Sequence, residues 1–135
     1  MSESEGPLGR RDFGYFVSYS AVGFNLTNMF DPVINAYLVQ HCGQNPQTSP
    51  VIGVPNLLSC RLLGFLGFPN VFDFGLRVTE LGDSSVTYEI GIFELDAENP
   101  SALGVCVHDF VESQSRMRAL MNTETREGLS RLLVG

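Results

Sequence analysis

The chain has 135 residues, with 15 acidic against 8 basic, a formal net charge of −7 and 44% hydrophobic content. One domain of ordinary size fits this length, and it buries enough surface to need no metal or disulfide staple. All the basic residues are scattered Arg, which excludes the basic face that nucleic acid or an anionic membrane requires, and no apolar run nears the ~20 residues of a membrane span.

Residues 1–11 carry two acids and no apolar run, so they predict a flexible tail rather than a secretory signal. That leaves 12–135 as a single domain. Residues 13–22 are aromatic and β-branched and predict a strand. Residues 23–30 break the pattern and predict a loop. Asp31-Pro32 predicts a helix start, with Asp capping orphan N–H groups and Pro in the first helical position. The helix runs to Cys42, with Val33, Tyr37 and Leu38 or Val39 at helical spacing, and Gly43 is a natural stop. Four strands follow, at 51–66, 71–81, 84–95 and 102–112, with turns at 67–70 and 82–83 and a loop at 96–101. Val86, Tyr88, Ile90 and Ile92 alternate with Ser85, Thr87, Glu89 and Gly91, and Phe72, Phe74, Leu76 and Val78 alternate in the same way. Residues 122–134 predict a capped amphipathic helix with Leu129, Leu132 and Leu133 on one face.

Cys42, Cys60 and Cys106 are odd in number and widely spaced, which argues against a disulfide framework. No CxxC or Cys/His spacing points to zinc. They read as reduced core thiols of a cytoplasmic protein. The element order is one apolar helix followed by long antiparallel strands, an α+β architecture.

Several strings resemble the hot-dog fold, in particular the acyl-CoA thioesterase family typified by 4-hydroxybenzoyl-CoA thioesterase. FPNVFDFGLRVTELGDSSVTYEIGIFE (68–94) is similar to the family's hairpin, ALGVCVHDFVES (102–113) to its final strand, DPVINAYLVQHCG (31–43) to the C-terminal part of its central helix, and TREGLSRLLV (125–134) to its closing helix. The resemblance implies a five-stranded antiparallel sheet wrapped around a central helix, plus a C-terminal helix. It implies a homodimer, with pairing of dimers into tetramers left open. It also implies an acyl- or aryl-CoA thioester as substrate, bound at the protomer interface, with no further cofactor and no metal.

The family places its catalytic Asp, followed by a GHVNN-like string, between the first strand and the helix. Here the stretch 18–30 contains no acid, and Asp31 is the first one met. Asn25-Leu-Thr-Asn28 aligns with the family string if about five residues of the helix start are missing; without that gap, both Asn residues fall inside the helix. Asp31 therefore reads either as the group that orients water or as a helix cap. Asn25 and Asn28 read as carbonyl or water ligands or as turn formers. By resemblance Ser84 and Ser85 lie near the CoA path, and Arg116 and Arg118 are placed to grip phosphates with paired bonds. His41 at a helix end and His108 in a strand read as structural. Two functions remain open: thioester hydrolysis, or a hot-dog dimer that binds an acyl or CoA ligand without hydrolysing it.

Overall fold

A computed structural model describes residues 8–21, 23–45, 47–64 and 70–134, with the side chains of residues 22–25 outside the description. The predicted tail up to residue 7, residues 65–66 of the predicted strand 51–66 and residues 67–69 of the predicted turn 67–70 also lie outside the described residues; the strand ends at Leu62, and Asn70 already belongs to the next strand. Residues 8–12 are packed onto the domain. Arg10 reaches the carbonyls of Ala97 and Glu94, pairs with Asp73 at 2.8 Å and stacks over Phe93.

The strands are β1 (Tyr15–Ala21), β2 (Val51–Leu62), β3 (Asn70–Leu81), β4 (Ser85–Glu94) and β5 (Ala102–Glu112). They form one antiparallel sheet in the order β1-β3-β4-β5-β2. The expected alternation holds: Phe72, Phe74, Leu76, Val78, Val86, Tyr88, Ile90 and Ile92 are all buried. Period-two spacing puts each set on one face, and that face is the one the helix covers.

The covering helix is α1 (Phe30–His41). Phe30, Val33, Ile34, Tyr37 and Leu38 are buried, at the spacing of a single helical stripe. Val39 is half-exposed, so Leu38 is the inward residue of that pair. The ring of Phe30 rests where a Cβ on Gly104 of β5 would stand; only glycine lets the helix seat this closely. Gly43 has φ +67° and ends the helix in the left-handed region as expected.

Two expectations are corrected here. Residues 23–29 are a 3-10 helix (Gly23–Met29), not a loop, and it runs directly into α1. Consequently α1 starts at Phe30, its N-cap is Met29, and that cap has no side-chain hydrogen bond. Asp31 and Pro32 lie inside the first turn instead of at its cap. The donors that an Asp cap would satisfy are those of the first turn, and a preceding helical turn takes the cap's place.

The second helix, α2 (Thr123–Ser130), is shorter than expected. Asn122 caps it, its Oδ1 accepting from Thr125 N at 2.8 Å. Leu129 and Leu132 are buried, but Leu133 is 46% exposed. After Ser130 the chain pairs with β3 (Val78 N to Leu132 O, Val134 N to Val78 O), and extended pairing turns successive side chains to opposite sides. Among the described residues, no helix is long and apolar enough to cross a membrane.

Candidate functional site

The seat of α1 on the sheet determines what its first turn meets. Position 31 follows the buried Phe30, and its side chain leans toward the neck of β5. There the Asp31 Oδ1 lies 3.3 Å from Nε2 of His108. His108 is 1% exposed at its side chain, whereas that of Asp31 is 48% exposed. One partner is locked in the core and the other reaches solvent, an arrangement that fixes a carboxylate while leaving it accessible. An ionised Asp31 can only accept, so the shared proton sits on Nε2.

The hydrogen bond from His108 holds the Asp31 carboxyl below the usual carboxylate range. Burial opposes that shift, and the charge interaction with His108 reinforces it. Asp31 is therefore ionised at neutral pH.

Two more groups converge on this pair. Cys106 lies two residues before His108 on β5, so both point to the core face, and Cys106 is fully buried. Donor atoms of Asp31, Cys106 and His108 all lie within 4.8 Å of one another. Burial, with a smaller contribution from the Asp31 charge, pushes the Cys106 thiol up to about 12, so without a bound cation it is not a nucleophile at neutral pH. Tyr88, directly across from Cys106 on β4, packs edge-on to His108 with ring centres 5.3 Å apart. Its hydroxyl is buried without a hydrogen-bond partner, as is Nδ1 of His108.

The other predicted residues fall elsewhere. Asn28 is exposed on the 3-10 helix. Asn25 lies on the same helix, and its side chain is outside the described residues. Ser84 and Arg118 are brought together: Arg118 Nη1 donates to Ser84 Oγ at 3.0 Å, and its Nη2 lies 3.4 Å from Asp109 Oδ1. Ser85 opens β4 opposite Asp109. Arg116 is exposed in the turn after β5, with φ 65°. His41 stands in the last turn of α1 against the rings of Tyr15 and Tyr37. Cys60 is only partly buried, unlike the other two thiols.

His108 and Cys106 were the residues that sequence reasoning missed as members of a site. The available signal was the Cys-x-His spacing inside a strand, which puts both side chains on one face. Nothing local links them to Asp31, 77 residues away from His108.

No family sequence model matches the chain, and no curated protein matches it. Solved structures do. The PA5185 protein of Pseudomonas aeruginosa is 30% identical, over 96% of this chain and 97% of that one, with a TM-score of 0.88. A 1,4-dihydroxy-2-naphthoyl-CoA thioesterase from Synechocystis is 10% identical, over 87% of this chain and 98% of that one, with a TM-score of 0.70. A Staphylococcus aureus protein solved in complex with CoA is 9% identical, over 87% of this chain and 82% of that one, with a TM-score of 0.74. The last two likenesses establish the shared fold. Taken with the strand order and the helix seated on the sheet, they establish the hot-dog fold, and the near full-length match at 30% identity places the chain in one family with the PA5185 protein.

Proposed function

We propose that the protein hydrolyses an acyl- or aryl-CoA thioester to the free acid and CoA, with Asp31 as the group that activates water. The observation that carries this reading is the half-exposed Asp31 carboxylate, held by buried His108 in the first turn of the central helix. The acid that the family carries before its helix is absent, and Asp31 is the nearest carboxylate that follows in the chain. The proteins of known activity or ligand that share the fold, a CoA thioesterase and a CoA complex among them, support the substrate class.

In this reaction a water oxygen attacks the thioester carbon as Asp31 accepts a proton from that water. The carbonyl oxygen gains the negative charge, which a hydrogen-bond donor at the helix entry is suited to stabilise. The C–S bond then breaks, the acid is released, and the CoA sulfur takes up the proton held by Asp31. Arg118, with Ser84, is the candidate for gripping a CoA phosphate, assisted by Arg116. Asn25 and Asn28 flank the helix entry and are candidates for holding the water or the carbonyl, and Ser85 for the pantetheine arm.

The site is completed by a second copy in this reading. His108 pairs with Pro55 on β2, an edge strand, so Asp31 lies near that edge. Leu57, Leu58 and Leu62 on β2 are each about half exposed. An unpaired apolar edge invites pairing with another strand, and a two-fold homodimer through β2 buries it.

The test is release of CoA from a panel of aliphatic and aryl acyl-CoAs, with Asp31→Asn beside the wild type. Wild-type turnover and a loss of about a hundredfold or more in the variant are expected. Unchanged turnover in Asp31→Asn overturns the assignment of Asp31. The absence of any turnover, with a CoA ligand still raising Tm, favours the second reading: a binding module, consistent with the acid-free stretch 18–30.

A further inference from the structure

We propose that Asp31, Cys106 and His108 form a binding site for one divalent cation of the Zn2+ type. The proposal goes beyond hydrolysis and does not depend on it. Its basis is the convergence of a carboxylate, an imidazole and a thiol from α1 and β5 at one point of the core boundary.

The geometry fits a tetrahedral ion. His108 Nε2 and Asp31 Oδ1 are 3.3 Å apart, longer than the ~2.7–2.9 Å of a charge-assisted hydrogen bond. Zinc bonds of about 2.0–2.1 Å to nitrogen and oxygen, opened to a tetrahedral angle, put those two atoms ~3.3–3.4 Å apart. The corresponding nitrogen-to-sulfur edge is ~3.5 Å. All three donors already lie within 4.8 Å of one another, so reaching a ~3.5 Å edge closes the sulfur distance by at most about 1.3 Å.

Chemistry and access fit as well. A carboxylate and a thiolate carry two negative charges against the two positive charges of the ion, and a mixed sulfur, nitrogen and oxygen set favours zinc-like ions over magnesium or calcium. On binding, the neutral His108 ring carries its proton on Nδ1 instead of Nε2, which frees Nε2 for the metal; the S–H bond of Cys106 breaks, the sulfur–metal bond forms and the thiol proton leaves to solvent. The exposed side of Asp31 gives the ion a way in and leaves a fourth position facing water. Tyr88, paired with Cys106 across the strands and stacked edge-on to His108, has a fully buried hydroxyl without a partner. A bound ion occupies Oδ1 of Asp31 and offsets its charge, which weakens Asp31 as a base, so metal binding competes with hydrolysis.

The experiment is a Co2+ titration of EDTA-treated full-length protein. We expect one equivalent to bind, a thiolate-to-cobalt charge-transfer band, displacement by one equivalent of Zn2+, and release of about one proton per ion. Cys106→Ser abolishes the band. Asp31→Asn, at a half-exposed position that leaves the fold intact, weakens binding about tenfold or more. Absence of the band in the wild type overturns the proposal, as does its persistence in Cys106→Ser or unchanged affinity in Asp31→Asn. The readout is spectroscopic, so a protein that shows no turnover when metal-free yet binds cobalt in this way sinks the hydrolytic reading and leaves this one standing.

Discussion

The carboxylate of Asp31, in the first turn of the central helix, lies 3.3 Å from the imidazole Nε2 of His108, in the middle of a core strand. The pair joins a solvent-reaching acid to a fully enclosed ring. It makes the pH response of the protein predictable in sign.

His108 lowers the folded-state pKa of Asp31. A group with a depressed folded pKa adds stability above its unfolded value and loses that stability as pH falls through the folded one. On the proposed mechanism, hydrolysis by ionised Asp31 is expected to follow the same limb, present at neutral pH and lost in acid. His108→Leu removes the donor, so the acid limb of the pH–rate profile moves to higher pH. The stability difference between wild type and variant shrinks on acidification. An acid limb that stays in place overturns this account of the pair.

Gly104 is the point of closest approach between α1 and the sheet. A Cβ there collides with the ring of Phe30. Gly104→Ala is expected to cost about 1–3 kcal/mol by overpacking, seen as a Tm lower by roughly 3–10 °C. Combining it with Phe30→Leu recovers part of the loss, because the two positions share one contact. Strict additivity in thermal melts would show that the contact is not what limits the site.

Asn122 caps α2 through its bond to Thr125 N. Asn122→Ala is expected to cost about 1 kcal/mol. Asn122→Asp keeps the acceptor and adds a favourable charge at the helix start, so it leaves Tm unchanged or slightly raised. Urea titration of the three proteins checks the order.

The β2 edge makes a prediction about assembly. Placing a charge on it, as Leu58→Lys does, blocks strand pairing. On the proposed assembly, light scattering should report a dimer for the wild type and a monomer for the variant at the same concentration. A mass shared by both proteins, whether monomer or dimer, removes β2 as the pairing edge. Leu58 is already half exposed in the single chain, so the variant folds.

Much of the architecture was legible locally. Strand β5 matches its predicted bounds, and the alternating residues of β3 and β4 face the core as period-two spacing requires. The Asn122 cap and the Gly43 stop are short-range signals confined to one turn of chain. The segment 23–29 was not legible, because 3-10 turns lack an apolar stripe of their own and depend on what they join. Leu133 was misread for a related reason: the helix ends early to let the chain pair with β3, and pairing reverses which side chain points inward.

The sequence by itself determined the core-facing residues of β3 and β4, the buried face of α1 and the terminal cap, because each is written in periodicity or capping within about a dozen residues. Only the tertiary structure decided that Asp31 is not a cap but the partner of His108, with Cys106 beside them. Those three residues meet because Phe30 settles onto Gly104 and carries the first turn of α1 to β5. That seat is set by packing between elements more than 70 residues apart in the chain, which no local pattern records.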